Sequence, residues 1–187
     1  VAFCDDDDLW LPEKLERQVA ALAAAPGAGL STCGIQVQYG GETFSRSLDA
    51  ELVTFDDLLR DRHTELHPST FVMRREALLE VIGLVEEEVP GGFGEDYEFL
   101  LRAARAHPVV NVRDVLAVVR WGQQSFFFRR WETMAAGLTW LLDRYPEFTG
   151  SRRGAGRVMG QIAFAHAAMK RRRSAAAWVG RALVANP

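Results

Sequence analysis

The chain has 187 residues, of which 48% are hydrophobic and 25% are charged, and its net charge is −3. This composition is ordinary for a soluble globular protein, and the length suits one domain with a sizeable core or one domain with an appendage. No stretch approaches the roughly eighteen consecutive apolar residues of a transmembrane helix, and no signal-peptide pattern precedes the first acidic run, so we expect a cytoplasmic protein.

Short strands and helices are predicted over the first part of the chain. The apolar run VAFC, residues 1–4, predicts a buried strand that ends at four aspartates. A helix is predicted to begin near Pro12 and to end at Pro26-Gly27. Its buried face is predicted to comprise three apolar residues: Leu15, Val19 and Leu22. A second strand is predicted over 29–38, followed by a polar loop or hairpin over 39–53.

The middle of the chain continues this alternation. The sequence FDDLLRD after Thr54 predicts a short capped helix, 69–73 a strand, and 75–81 a helix closed by Gly83. A glycine-rich loop leads to a helix over 95–106. Two short strands are predicted next, at 109–112 and 115–120. Strands that alternate with helices indicate an α/β domain.

From about residue 126 the pattern is helical to the end. Helices are predicted over 128–144, 155–171 and 174–185, the last two as a hairpin with the basic turn KRRRS. We therefore expect an α/β domain over 1–125 and a helical extension over 126–187.

The two cysteines, Cys4 and Cys33, lie in apolar, strand-like runs. We expect two buried thiols rather than a disulfide, which suits a reducing compartment.

The four consecutive aspartates Asp5–Asp8 are the first candidate site. They follow a predicted strand, and ligands in open α/β sheets bind beyond the carboxyl ends of strands. Carboxylates suit Mg²⁺ or Mn²⁺ bound together with substrate phosphates. A solvated loop that caps the next helix explains the run equally well.

The second candidate is the stretch GGFGEDYEFLLR. Its glycines lead to a helix start, and Glu95 and Asp96 lie in the first turn, where carboxylates are favoured. They are either ordinary caps, or one of them is a general base toward a hydroxyl.

Together these stretches resemble family 2 glycosyltransferases, which have the GT-A fold. VAFCDDDDLWLPEKLERQVAAL resembles the aspartate-motif strand and helix of that family. HPSTFVMRREALLEVIGLVEE, followed by GGFGEDYEFLLRAAR, resembles the region that ends with its Glu-Asp motif. The resemblance covers roughly residues 1–121, with both motifs in the family's order and separation. It implies a GT-A-like mixed sheet that lacks the family's N-terminal nucleotide-binding strands, followed by the helical segment.

The resemblance also implies roles for individual residues. Asp7 would coordinate the divalent metal and Asp5 would lie toward the donor's ribose or sugar. A slip of one residue within the run keeps Asp6 as a donor-binding candidate and Asp8 as a metal ligand. Asp96 matches the catalytic base, and Glu95, its neighbour, matches an acceptor contact.

The implied reaction is a metal-dependent, inverting transfer of a sugar from a nucleotide-diphosphate sugar to a hydroxyl. The acceptor would be a sugar, a lipid-linked acceptor or a protein. The Gln-x-x-Arg-Trp signature of processive members is not met, because position 127 is Phe and Gln124 does not have the right spacing to Arg130-Trp131. This argues against a polymerising synthase.

Several other residues are candidates with two interpretations each. His67 is either a diphosphate contact or a solvent-facing loop residue. Arg120, Trp121 and Gln123 follow a predicted strand, where the resemblance implies the acceptor or diphosphate region. The aromatic run 126–128 is interpreted as core or a docking face.

The basic residues are concentrated at the C-terminal end. Residues 150–187 hold eight Lys and Arg and no acid, so 1–149 hold 14 basic and 25 acidic residues, a net of −11. The run Lys170–Arg173 is either a solvated turn or a peripheral contact with an anionic membrane. No nucleic-acid partner is expected, because the basic patch is short and lacks interleaved aromatics.

Two alternatives to a glycosyltransferase remain at this point. One is a non-catalytic interaction module whose C-terminal helices bind a partner. The other is a nucleotidyltransferase on a similar fold, which would use metal-binding aspartates but has no evident need for the Glu-Asp helix start.

Overall fold

The computed structural model describes residues 1–122 and 129–187. It confirms the predicted α/β class, with a mixed open sheet in the first of two compact units. The first unit comprises Val1–Phe55, His63–Leu84 and Phe99–Ser125, and the second comprises Asp56–Arg62, Val85–Glu98 and Phe126–Pro187. Within the described residues, no helix is both long enough and apolar enough to cross a membrane. The candidates Gln123 and 126–128 lie outside the described residues.

The sheet of the first unit is built on two long parallel strands. Its strands are β1 (Leu9–Trp10), β2 (Leu30–Tyr39), β3 (Glu42–Arg46), β4 (Leu52–Val53), β5 (Val72–Met73) and β6 (Val109–Arg120). β2 pairs in parallel with β6, and the other pairings are antiparallel, in the order β1-β6-β2-β3, with β4 on β6 and β5 on β2. Since β2 and β6 run the same way, their carboxyl ends, Tyr39 and Arg120, lie at one edge of the sheet.

β6 is one strand where the sequence predicted two. Its register with β2 steps from Cys33 opposite Val112 to Gly34 opposite Val115, so the polar residues between the two predicted strands form an irregularity inside a continuous strand. A Cβ on Gly34 would lie 2.9 Å from Ser47 Cβ and 3.1 Å from the backbone oxygen of Asp114. The absence of a side chain at Gly34 therefore permits this close approach.

The prediction of a buried strand over residues 1–4 is wrong. Ala2 forms an isolated antiparallel bridge with Val72, and Val1 and Cys4 are exposed. Backbone hydrogen bonds join Val1 to Met73 and Phe3 to Phe71, and the pairing does not extend to Cys4. Consequently only Cys33 is a buried thiol. Both cysteines are free, as predicted.

The first long helix, α1 (Lys14–Ala24), is present and buries Leu22 as predicted, but the rest of its predicted buried face is wrong. Its buried residues are Lys14, Gln18 and Leu22, whereas Leu15 and Val19 are about half exposed. The prediction failed because it counted only apolar side chains. The Lys14 amine and the Gln18 amide N–H both bond to the Thr70 carbonyl oxygen, which compensates for the burial of these donors.

The remaining helices largely match the predicted spans. They are α2 (Phe55–Arg60), α3 (Glu95–Ala106), α4 (Trp131–Arg144), α5 (Arg152–Ala168) and α6 (Arg172–Ala185). The helix predicted at 75–81 is a helical segment that includes the π-helix Ala77–Ile82, with Gly83 following it at φ 84°. In the second unit, α4 packs on α5 and α5 on α6.

Candidate functional site

The four aspartates form a turn that leads into β1. The backbone N–H of Asp8 donates to the carbonyl oxygen of Asp5 at 3.2 Å. Asp8 is buried, while Asp5, Asp6 and Asp7 are exposed. The run therefore divides into one interior carboxylate and three at the surface.

The carboxylate of Asp8 is fixed by donors from two distant parts of the sequence. Its Oδ1 accepts a hydrogen bond from the Arg120 backbone N–H at 3.1 Å, and its Oδ2 accepts one from the Ser69 hydroxyl at 2.5 Å. The Asp8 side chain is only 1% exposed. A carboxylate is tolerated in the interior when such donors replace its lost water, so these bonds explain the burial.

Ser69 connects the two ends of the acidic turn. Its fully buried hydroxyl oxygen also accepts a hydrogen bond from the Asp5 backbone N–H at 3.0 Å. Ser69 lies in a 3-10 turn, Pro68–Thr70, where the sequence predicted the start of a strand. The chain turns at Pro68–Thr70, which brings the hydroxyl to both Asp5 and Asp8. Sequence reasoning did not identify Ser69 as part of the site.

His67 precedes this 3-10 turn and lies beside the aspartates. Its Nδ1 is 3.4 Å from Asp8 Oδ2, and its Nε2 is 3.9 Å from Asp5 Oδ2. The Ser69 backbone N–H also donates to Nδ1 at 3.4 Å. Asp5, Asp8 and His67 offer ligand atoms that all lie within 4.8 Å of one another. The structure thus brings together three of the predicted site residues.

Asp6 and Asp7 lie outside this three-residue group. Both are exposed, and among the residues that the structure describes neither carboxylate takes part in a hydrogen bond or an ion pair. They are the members of the run whose oxygen atoms remain available to a ligand that arrives from solvent.

The acidic turn lies at the carboxyl edge of the parallel strands. Asp8 bonds to Arg120, the last residue of β6, and β6 runs parallel to β2, which ends at Tyr39. This is the edge at which open α/β sheets bind their ligands. The position agrees with the expectation from the sequence, although the residues before the turn are not a regular strand.

Three side chains stabilise the 3-10 turn through its backbone carbonyl groups. The Trp10 indole N–H donates to the Ser69 carbonyl oxygen at 2.9 Å, and the Gln18 amide donates to the Thr70 carbonyl oxygen at 2.7 Å. The Lys14 ammonium lies 3.4 Å from the same Thr70 oxygen and 4.4 Å from the centre of the Trp10 ring. The i, i+4 spacing of Lys14 and Gln18, which places both on one face of α1, was the signal in the sequence for these contacts.

Two ionisable groups near the turn are perturbed by their surroundings. Burial lowers the pKa of Lys14, whose ammonium contacts a backbone carbonyl oxygen and, among the described residues, no carboxylate. The pKa of Cys4 is raised, first by burial and then by the nearby charges of Asp8 and Asp5. A raised pKa lowers the thiolate fraction of Cys4, and the thiolate is the reactive form of cysteine.

The backbone N–H of Arg120 is bonded within the fold, whereas its side chain is exposed. Its N–H holds Asp8, while its side chain lines an open depression of about 390 Å³ together with residues of the β2–β3 hairpin. Trp121 packs edge-on against Phe44, with the Arg46 guanidinium 5.4 Å from the Trp121 ring centre. The depression therefore adjoins the residue that anchors the acidic turn.

Asp96 and Glu95 begin α3, as predicted, and belong to the second unit. Asp96 forms an ion pair with Arg62, and its Oδ1 accepts a hydrogen bond from the Tyr97 backbone N–H at 2.7 Å. The Asp96 side chain is 27% exposed, and Glu95 is exposed. Each carboxylate oxygen can accept two hydrogen bonds, so Asp96 keeps capacity for a hydroxyl. Arg62 was not among the predicted residues.

The donor set of the acidic turn fits a hard divalent cation. Carboxylate oxygens suit Mg²⁺ and Mn²⁺, and the His67 imidazole extends the range to softer ions such as Zn²⁺. Asp8 already accepts hydrogen bonds at both oxygens, so it is best suited to support the turn. Asp7, exposed and unengaged within the described residues, is best suited to bind the ion.

No protein-family model and no curated protein matches the chain.

Proposed function

We propose that the chain carries the metal-binding and catalytic part of a GT-A-type glycosyltransferase. The reaction is the inverting transfer of a sugar from a nucleotide-diphosphate sugar to an acceptor hydroxyl. One observation supports it most: a buried carboxylate, Asp8, fixes an exposed acidic turn at the carboxyl edge of the parallel strands β2 and β6. The resemblance of the two motifs to family 2 enzymes is what suggests sugar transfer as the reaction. The free cysteines suit the reducing interior of a cell.

In this proposal the acidic turn and its neighbours bind the donor. Asp7 holds Mg²⁺ or Mn²⁺, and Asp5 and Asp6 contact the donor's ribose or sugar. Asp8 keeps the turn in place through Ser69 and Arg120. The cation, when bound, supplies positive charge that stabilises the departing nucleoside diphosphate.

The side chains of His67 and Arg120 contribute to donor binding in the same proposal. His67 lies beside Asp5 and Asp8, and the Arg120 side chain is exposed beside the β2–β3 hairpin. A guanidinium is well suited to a phosphate, which it can bind through two parallel hydrogen bonds. We therefore assign both residues to the diphosphate.

Asp96 acts as the general base. Its carboxylate accepts the proton of the acceptor hydroxyl while the hydroxyl oxygen forms a bond to the anomeric carbon. The bond between that carbon and the diphosphate oxygen breaks on the opposite face, and the nucleoside diphosphate leaves with the electron pair. Arg62 orients the carboxylate through the ion pair, and Glu95 contacts the acceptor.

The test is a nucleotide-release assay on the full-length protein with a panel of uridine, guanosine and thymidine diphosphate sugars and mixed acceptors. Asp96→Asn should lower the rate by about 100- to 10,000-fold, the usual contribution of a general base. Asp7→Ala should abolish transfer. Retained transfer in either variant contradicts the role of that residue.

Two exposed aspartates outside the site serve as matched controls. Asp49→Ala and Asp143→Asn should leave the rate within about twofold, because both carboxylates lie at the surface. If the wild-type protein releases no nucleotide from any sugar donor, the proposed function is wrong and a non-catalytic interaction module is favoured.

A further inference from the structure

The turn between α5 and α6 carries a cluster of cations, Lys170–Arg173, here called the basic tip. All four residues are exposed, and Lys170 adopts a left-handed conformation with φ 60°, which reverses the chain. Arg171 pairs with Glu132 at 2.7 Å. Among the described residues, the side chains of Lys170, Arg172 and Arg173 have no carboxylate partner. Three charges of one sign are therefore left without neutralisation at one surface.

The rest of the hairpin does not balance these charges. Residues 150–187 contain eight Lys and Arg and no acid. The two helices are antiparallel, since Arg152 at the start of α5 donates to the Ala185 carbonyl oxygen at the end of α6. At the end away from the tip, Arg153 and Arg157 each lie 3.9 Å from an Asp61 carboxylate oxygen. The un-neutralised positive charge is therefore concentrated at the basic tip, where the local field attracts anions.

Three aliphatic residues of α6 are exposed, and they define what is here called its outer face. α6 has no buried residue, and Val179, Leu183 and Val184 are 47%, 60% and 84% exposed. Helical periodicity places Val179 and Leu183 on the same side as Arg172, and Trp178 on the flank with the Arg181 guanidinium 4.6 Å from its ring centre. Exposed aliphatic groups beside un-neutralised cations suit a partner that offers both apolar and anionic groups.

We propose that the basic tip and the outer face of α6 bind the surface of an anionic lipid bilayer. The helix would lie in the plane of the interface, with its aliphatic side chains among the acyl chains and its cations on lipid phosphates. An open depression of about 380 Å³ lined by Lys170–Ser174 offers room for a headgroup phosphate. This proposal does not depend on the proposed function.

Charge complementarity and the aliphatic face together favour a lipid surface over other polyanions. A nucleic acid would satisfy the cations but offers little to Val179, Leu183 and Val184. It is better recognised by basic patches with interleaved aromatics, and the basic tip has none. A bilayer interface satisfies both kinds of group at once.

The test is co-sedimentation of the full chain with lipid vesicles. Binding should be strong to phosphatidylcholine vesicles that contain about one-third phosphatidylserine, weak to pure phosphatidylcholine, and reduced by added salt. Each cation near an anionic surface increases the partition coefficient onto the vesicles about fivefold. The triple variant Lys170→Gln, Arg172→Gln, Arg173→Gln should therefore lower that coefficient about 100-fold. Leu183→Ser with Val184→Ser should lose about tenfold at any salt concentration.

The matched control removes three exposed arginines elsewhere: Arg75→Gln, Arg113→Gln and Arg144→Gln. Its binding should stay within about fivefold of wild type, because it leaves the basic tip intact. Equal loss in the control, equal binding to neutral vesicles, or no binding to anionic vesicles overturns the proposal. Equally tight binding to single-stranded RNA, with no effect of the serine variants, would identify a general polyanion site instead. All substituted residues are exposed, so unchanged thermal unfolding should accompany each variant.

Discussion

Replacing Asp8 by alanine tests the division of the acidic run into one anchor and three surface carboxylates. The change leaves the buried Ser69 hydroxyl and the part-buried Arg120 N–H without their acceptor. An unsatisfied buried donor costs about 1–3 kcal/mol, with the lower value for a group that water can reach. We expect the free energy of unfolding to fall by about 2–4 kcal/mol. Asp7→Ala removes only an exposed carboxylate and should change it by less than about 0.5 kcal/mol.

The assay is urea unfolding of the wild type and both variants, with thermal unfolding as a second probe. For a chain of this length, 1 kcal/mol corresponds to roughly 2–4 °C, so Asp8→Ala should melt about 5–15 °C lower. A double-mutant cycle with Ser69→Ala should give a coupling of at least about 1 kcal/mol, because the two side chains share a short hydrogen bond.

Two results would refute this reasoning. Equal destabilisation by Asp7→Ala and Asp8→Ala would show that the run acts as one solvated group. Additive effects of Asp8→Ala and Ser69→Ala would show that the bond between them contributes nothing, and that the turn is held by other contacts.

Two further predictions concern buried ionisable groups. Burial raises the pKa of Cys33 from 9.0 to about 11, so the folded state binds its proton more tightly. The free energy of unfolding should therefore fall by up to about 3 kcal/mol from pH 9 to pH 11, a decline that urea titrations of Cys33→Ala should lack. Burial lowers the pKa of Lys14 below its ordinary 10.5, so between these two pKa values the unfolded state holds a proton that the folded state has lost. The contribution of Lys14 to the free energy of unfolding should therefore fall as the pH drops below 10.5. Lys14→Met should keep or raise the free energy of unfolding at pH 7 and remove this pH dependence. A loss of more than about 2 kcal/mol at pH 7 would contradict the prediction.

The fold class could be predicted because the signals that define it are local. Apolar runs of the right length predicted β2 and, as two strands, β6, and the stretch predicted as a loop or hairpin contains the hairpin between β2 and β3. The helix start at Glu95 followed from glycines before a run with 3.6-residue periodicity. These patterns depend on neighbouring residues alone.

The buried face of α1 could not be predicted from hydrophobicity, because its burial is decided by distant groups. Lys14 and Gln18 are interior since the carbonyl oxygen of Thr70, more than fifty residues away, accepts hydrogen bonds from both. Leu15 and Val19 are correspondingly turned to the surface.

The candidate site was predicted in composition but not in internal arrangement. The sequence identified the aspartates and His67, yet nothing in a run of four identical residues shows which one is buried. Only the positions of Ser69 and Arg120, distant in sequence, single out Asp8 as the anchor. Arg62 as the partner of Asp96 is a long-range contact of the same kind.

The central claim is that the exposed aspartates bind a divalent cation as part of a donor site. The most direct measurement is Mn²⁺ binding to the chain, followed by the electron paramagnetic resonance signal of the free ion, with Asp49→Ala as the control. We predict one saturable Mn²⁺ site that Asp7→Ala abolishes and Asp49→Ala leaves unchanged, and whose affinity uridine or guanosine diphosphate increases. Absence of saturable binding, or unchanged binding in Asp7→Ala, would contradict it.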